Sequence, residues 1–365
     1  MAQTKTPLTK LTWSEQTELV GLVFSVVSQT NATLYPQYTI GLHAWFLDQV
    51  RQFNPQLSQY LHDGQSEKPF TISDLEGEIK VQGKQLQLQA KQTYRWYLNA
   101  LSPEVVEWLE AWLDKLPATI DLRNAPLEIS QVAIANPPTT YQHLLSTKTP
   151  KSLNLSFVSP TSFRRKKNHF PLPLPKNVFH SYLRRWNDFS NLPYPQDEFL
   201  DWIDEYVVIN RHQLQTTRVA AGKRGTVTGF VGAIEYHLAK AAFKQPEFVE
   251  LFSALGQLAP YCGTGHKTTF GLGQTRLGWT ETTPSIETLA VETQLAQRIA
   301  ELTTELMKTQ KRTGGTRALN VSQIRATILA RQERGETLKN IAQELDMSYE
   351  TVKTYAKIAR KALNY

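Results

Sequence analysis

Between Tyr261 and Trp279 the chain reads Y-C-G-T-G-H-K-T-T-F-G-L-G-Q-T-R-L-G-W, with Gly263-x-Gly265 and Gly271-x-Gly273 separated by five residues. Glycine lacks a β-carbon, so it accepts positive φ and lets a second backbone approach closely. Two such pairs flank His266 and Lys267, a polar and basic tip that suits a phosphate backbone. A dinucleotide fingerprint is excluded by context, because that motif follows a strand and opens a helix. Here a helical segment, 248–258, comes before the glycines and a strand-like end, 274–279, comes after them. On local pattern alone the stretch reads equally well as a glycine-rich turn.

The 365 residues suffice for about two or three domains. Hydrophobic content of 41% and charged content of 20% describe a soluble globular protein. No apolar run reaches the ~18 residues of a membrane span, and the N-terminus has no apolar signal core. The sole cysteine, Cys262, excludes an intrachain disulfide framework and a cysteine-based zinc site. A cytoplasmic location is expected. The net charge of +7 leans toward nucleic acid, and its distribution says more than its size. From Ser146 to Trp186 there are nine Lys or Arg and no Asp or Glu.

Periodicity predicts a strand over 19–28, a helix from about 40 to 61, strands over 70–75 and 86–101, a helix opened by Ser102-Pro103-Glu104, and a strand over 119–135. That order, β-α-β-β-α-β, is the ferredoxin-like unit. A Pro/Thr-rich connection at 136–151 separates it from a longer, decorated second round. There, strands are expected over 153–158, 206–214, 215–219 and 226–236, with helices at 178–186 and 248–258, a helix or turn at 194–205, and a closing strand after the glycines. The expected class is α+β. Two tandem ferredoxin-like domains, 1–140 and 141–283, would enclose a basic cleft, followed by a helical linker, 284–316, and a helical module, 317–365.

Within that module, Leu338, Ile341, Ala342 and Leu345 share one helical face, Asp346-Met347-Ser348 form a short turn, and Val352, Ala356 and Ile358 lie on a second helix. The pattern resembles the DNA-binding helix-turn-helix of sigma-factor region four and of response-regulator output domains. That resemblance implies that Tyr349, Glu350, Thr351, Lys353 and Thr354 face the major groove of duplex DNA. The alternative is a three-helix bundle used for protein contacts.

Four stretches together resemble the CRISPR-associated endoribonucleases that cut the repeats of precursor CRISPR RNA, within the superfamily of repeat-associated RNA-binding proteins. They are G-T-G-H-K-T-T-F-G-L-G; T-I-G-L-H-A-W-F-L, with a histidine opening the first helix; K-P-F-T-I-S-D-L; and F-V-S-P-T-S-F-R-R, followed by L-R-R-W-N and G-F-V-G-A-I-E-Y. Their order and spacing cover roughly residues 15–280, and the helix-turn-helix end lies outside the likeness.

The resemblance implies metal-independent cleavage, in which a ribose 2′-OH attacks the adjacent phosphorus and the 5′ oxygen leaves. The ends would be a 5′-OH and a 2′,3′-cyclic phosphate. No cofactor is expected. His43 matches the family's first-helix histidine, and an imidazole suits acid or base work near neutrality. Tyr35 and Tyr38 are candidates to orient it or to donate to the phosphate. No lysine lies on the first helix, so Lys267 or Arg51 would stand in for a third partner; His62 and His266 are rival histidines. Candidate RNA contacts are Gly263, Gly265, His266, Lys267, Gly271, Gly273, Arg164, Arg165, Lys166, Lys167, Arg218, Lys223 and Arg224, with Phe163 and Phe170 interleaved. The implied partners are CRISPR repeat RNA and other CRISPR effector subunits, with duplex DNA or a protein at the tail. Two further readings are a cleavage-inactive repeat binder and a nucleic-acid-binding regulator acting through the tail.

Overall fold

The computed structural model describes residues 11–35, 37–62, 67–82, 85–122, 125–147, 150–166, 168–220, 226–280, 286–309 and 316–363. The chain opens with β1 (Leu19–Val27), β2 (Ala32–Leu34), α1 (Tyr38–Phe53), α2 (Pro55–His62), β3 (Phe70–Glu76), β4 (Lys80–Gln82), β5 (Gln85–Leu88) and β6 (Thr93–Ala100). It continues with α3 (Pro103–Leu113), β7 (Thr119–Leu122), β8 (Ala125–Thr139) and α4 (Tyr141–Leu145). These strands build a sheet of order β3-β6-β1-β8-β7, in which β1 lies antiparallel to both β6 and β8. The apolar run of β1 is buried because it is central, covered by α1 and α3 through Leu42, Phe46, Val105, Leu109 and Trp112.

The second round comprises β9 (Ser152–Thr161), β10 (Phe163–Arg165), β11 (Asn168–Phe170), α5 (Pro175–Phe189), α6 (Gln196–Tyr206), β12 (Val207–Ala220), β13 (Thr226–Leu238), α7 (Pro246–Cys262) and β14 (Thr275–Leu277). Its sheet order is β12-β13-β9-β14. Both sheets thus place their four ferredoxin-like strands in the order second, third, first, fourth, so the protein is a tandem ferredoxin-like α+β fold. An all-helical region follows, with α8 (Ile286–Lys308), α9 (Thr316–Gln332), α10 (Leu338–Glu344) and α11 (Tyr349–Leu363). Among the described residues, no helix is long and apolar enough to cross a membrane.

Several expected elements are redrawn. The helix expected over 40–61 is two helices, broken at Asn54 because Pro55 follows and disfavours a helical residue before it. The strand expected over 86–101 is β5 and β6, separated by a turn in which Lys91 has φ 61°. The two strands expected over 206–219 are the single β12, paired along its length with β13. Ser102 precedes α3, yet its side chain makes no capping hydrogen bond.

The two units meet at β3 and the end of α7. Thr71 Oγ1 donates to the Tyr261 carbonyl at 2.8 Å, Tyr261 Oη donates to the Pro137 carbonyl at 2.7 Å, and Ser73 forms an isolated parallel bridge with Gly271. The glycine stretch is therefore seated against the first unit as well as the second.

Candidate active site

The end of β9 is the mould for the glycine stretch. Gly273 N–H donates to the Pro160 carbonyl at 3.1 Å, His266 N–H to the Ser162 carbonyl at 3.1 Å, and Thr264 N–H to the Gly273 carbonyl at 2.7 Å. A β-carbon on Gly265 would lie 2.2 Å from the Ser162 oxygen, and one on Gly273 would lie 2.0 Å from the Thr264 oxygen, with φ at 80° and 72°. Gly263, Gly265, Gly271 and Gly273 are all buried. The close approach that their missing side chains permit is made by the chain's own backbone and by Thr39 beside Gly271.

Below the loop lies a layer of α5 side chains to which the sequence pattern gave no role. Arg185 is 3% exposed, on the face that also buries Tyr182 and Trp186. Its Nη2 donates to the Gly265 carbonyl at 2.8 Å, its Nη1 to Ser181 Oγ at 2.7 Å, and its Nε lies 3.2 Å from Glu67. Ser181 Oγ in turn accepts from Gly265 N–H at 2.8 Å. Tyr182 Oη, Thr264 Oγ1 and Thr275 Oγ1 form a buried hydroxyl chain with links of 2.6 and 2.7 Å. The available signal was a charge on an apolar helix face, which requires a partner.

His43 reaches this loop from α1. Its Nδ1 lies 2.8 Å from the Thr269 carbonyl oxygen. A carbonyl only accepts, so Nδ1 carries the proton, and Nε2 is the nitrogen whose protonation changes with pH. The half-buried ring stacks on Phe270, with centroids 4.1 Å apart, and lies 5.9 Å from Phe70. The loop thus sets both tautomer and ring plane.

The two tyrosines are not gathered beside it. At about 100° per residue, Tyr38 projects from α1 roughly 140° around from His43. It is buried in the core, where its hydroxyl accepts from Leu75 N–H at 3.0 Å, and burial raises its pKa well above the ordinary value. Tyr35 lines a cleft with Gly41, Ala44, Trp45 and Asp48, on the opposite side of α1 from His43. Arg51 is ion-paired with Asp48 at the surface, and His62 ends α2.

The basic residues do converge. Burial lowers the pKa of His169, and the charges of Lys267, Arg164 and Arg218 push it the same way. Burial likewise takes His266 down to about 4; its Nδ1 donates to the Ser162 carbonyl at 2.8 Å, and it stacks on His169 at 5.2 Å. Its Nδ1 is thereby committed to the loop's own structure. Lys267, Arg164 and Arg218 therefore stand around one half-buried histidine pair. Arg165 lies over the Phe170 ring at 5.7 Å, and Lys166 occupies the β10–β11 turn with φ 55°. Lys167, Lys223 and Arg224 lie outside the described residues.

On the flank of the loop, Asp74 and Glu292 line a small cavity with Thr39, Phe270 and Gly271. Burial pushes Asp74 up to about 7, with Glu76 adding to the rise. Burial and the charge of Asp74 push Glu292, on α8, up to about 8.

Residues 20–118 match the family model for the CRISPR Cas6 N-terminal domain, and residues 155–275 match that for CRISPR-associated endoribonuclease Cas6. The chain belongs to the Cas6 family. Among solved structures, a Cas6 product complex is 28% identical with a TM-score of 0.58, covering 71% of this chain and 99% of its own. The product complex of a Thermus thermophilus Cas6 is 25% identical with a TM-score of 0.60, covering 71% of this chain and 100% of its own. A Cas6 substrate-mimic complex is 26% identical with a TM-score of 0.55, covering 71% and 99%. No curated protein matches the sequence. The Cas6 models stop at residue 275, so α8–α11 follow the matched region.

Proposed function

We propose that the protein binds CRISPR repeat RNA and cleaves precursor CRISPR RNA within the repeat, without a metal ion, using His43 for proton transfer. One observation carries the reading: the Nδ1–H of His43 is committed to the Thr269 carbonyl, so proton exchange at this ring is assigned to Nε2. In the neutral ring Nε2 takes the proton of the attacking 2′-hydroxyl; in the protonated ring it gives one to the departing 5′ oxygen. The 2′ oxygen bonds to phosphorus as the P–O5′ bond breaks, leaving a 2′,3′-cyclic phosphate and a 5′-hydroxyl.

Lys267 begins the turn that presents Thr269 and Phe270, which suits it to meet the phosphate on which negative charge grows. Arg164 and Arg218 extend the positive surface for the RNA backbone. Support also comes from relatives solved as product and substrate-mimic complexes, one of them also as a histidine-to-alanine variant. The test is to incubate purified protein with a repeat transcript in EDTA and analyse the product ends. Cleavage with cyclic-phosphate and 5′-hydroxyl ends is expected. Binding without cleavage would leave a repeat-holding protein.

A further inference from the structure

The helices after residue 285 carry a surface that the RNA site does not use. α10 ends at Glu344, and the chain turns through Leu345–Ser348 into α11. The turn is a Schellman stop: Met347 N–H donates to the Ala342 carbonyl at 2.9 Å and Asp346 N–H to the Gln343 carbonyl at 3.2 Å. Asp346 supplies the left-handed residue, with φ 50°. Ser348 Oγ then accepts from Thr351 N–H at 3.2 Å, capping α11. Ile328, Ile341, Ala342, Leu345, Val352 and Ala356 form the core that fixes α9, α10 and α11 against one another. Arg331, fully buried, is ion-paired with Glu336 and Glu344, which ties α9 to the start and end of α10.

α11 packs on α8, α9 and α10, whereas α10 is the helix that touches α1. The outer face of α11 is left to solvent. It presents Lys353, Lys357 and Lys361 at four-residue spacing, with Tyr349, Thr354 and Ile358 exposed beside them. Among the described residues, Glu350 is the one acid on this face, and it lies 3.8 Å from Lys353. Lys353 also sits over the Tyr349 ring at 5.9 Å, and Arg360 donates to Gln332 at 3.0 Å. Lys339 adds a positive charge on the exposed side of α10.

A lysine-lined helix held by two others across a tight turn fits a wide groove in a polyanion. The B-DNA major groove, about 12 Å across, admits a helix of about that diameter. The major groove of A-form RNA is too deep and narrow for one. We propose that α9–α11 bind duplex DNA, with α11 in the major groove. Lys353, Lys357 and Lys361 meet phosphates, and Tyr349 and Thr354 reach base edges. Tyr349 and the three lysines lie on a helix that packs chiefly on α8–α10, outside the residues of the Cas6 match.

The experiment uses the full chain and a random duplex DNA library with a core of about 20 bp, long enough for two half-sites. Bound duplexes are recovered and sequenced, and the enriched duplex is titrated by fluorescence anisotropy over a range of salt. One enriched motif is expected. The K353A/K357A/K361A variant should bind that duplex at least tenfold more weakly. The slope of log affinity against log salt should shrink by about 0.9 for each phosphate that the variant no longer neutralises. Tyr349→Ala should relax the base preference with little change in salt slope, and repeat-RNA binding should be unchanged in every variant. A library that stays unenriched, or a triple variant that binds the duplex like its parent, overturns the proposal. So does a triple variant that loses repeat RNA in step with DNA, because the surface would then serve the RNA.

Discussion

His43 Nδ1 sits 2.8 Å from the Thr269 carbonyl oxygen, although 226 positions separate the two residues in the chain. A helix of the first ferredoxin-like unit and the closing loop of the second thus meet through this hydrogen bond and the stacking of Phe270 on the ring. The loop does not need to bind anything to matter here. By holding Nδ1–H it fixes which imidazole nitrogen exchanges protons, and by stacking Phe270 on the ring it fixes the plane. Whatever holds the loop in shape therefore holds the histidine.

The first consequence concerns the glycines. Gly265→Ala and Gly273→Ala each force a β-carbon into a backbone oxygen, at 2.2 and 2.0 Å, from a left-handed φ. Left-handed strain alone costs about 1–3 kcal/mol, and the overlap adds to it. Each variant should lose at least about 2 kcal/mol in urea denaturation. Repeat cleavage should fall with stability as His43 loses its partner. Wild-type stability in both variants would contradict the role given to these glycines.

The second concerns Arg185, which holds the loop from α5. Arg185→Met leaves the Gly265 carbonyl without that donor and removes a buried charge from Glu67. Glu67 keeps Arg184 as a partner, which places the cost at the lower end of the about 3–5 kcal/mol for breaking a buried pair from one side. Thermal denaturation should show a large drop, and single-turnover cleavage should slow more than RNA affinity weakens. Arg185→Lys, which cannot make the forked contact, should restore little.

Much of this was legible beforehand. The double β-α-β-β-α-β order follows from β1's apolar run, the helical spacing of Leu42, Phe46 and Val50, and the proline-led α3. His43 was singled out by its position on α1, and the structure places its ring against the glycine loop. Its supporting residues were not legible. Tyr35 and Tyr38 are near His43 in sequence, but a helix turns neighbours to different sides, and Tyr38 faces the core. Arg185, Thr269 and Phe270 are far away in sequence, and only tertiary folding brings two of them onto the imidazole. The glycine spacing reveals that something approaches closely, but not that the chain's own backbone does.

A third prediction is a pH dependence. Asp74 and Glu292 hold protons in the fold up to about 7 and about 8, whereas in the unfolded chain they ionise in the usual carboxylate range. The unfolded state therefore binds fewer protons, and stability falls as pH rises through 7 to 8. His266, held down to about 4, acts with the opposite sign and only below about 6.5. Thermal midpoints should decline from pH 6.5 to 8.5, and Glu292→Gln should flatten that decline. A slope unchanged by the substitution would show that α8 is not fastened at this carboxyl.

The basic cluster gives a fourth. Charge reversal or removal at Lys267, Arg164 and Arg218 should weaken repeat-RNA binding in additive steps. Each variant should lower the salt dependence by nearly one phosphate, a slope change of about 0.7–0.9. Anisotropy titrations at several salt concentrations measure this. Variants with weaker affinity but unaltered salt slope would argue for base recognition instead.

The central claim is that His43 carries out the proton transfer while the rest of the surface holds the RNA. Single-turnover cleavage of a repeat transcript in EDTA, measured beside binding for wild type and His43→Ala, tests it most directly. Loss of general acid–base catalysis costs about 10²–10⁴-fold in rate. The predicted result is a rate drop of that size with affinity kept within about threefold. Equal cleavage by the variant, or wild-type cleavage that EDTA abolishes, would contradict it.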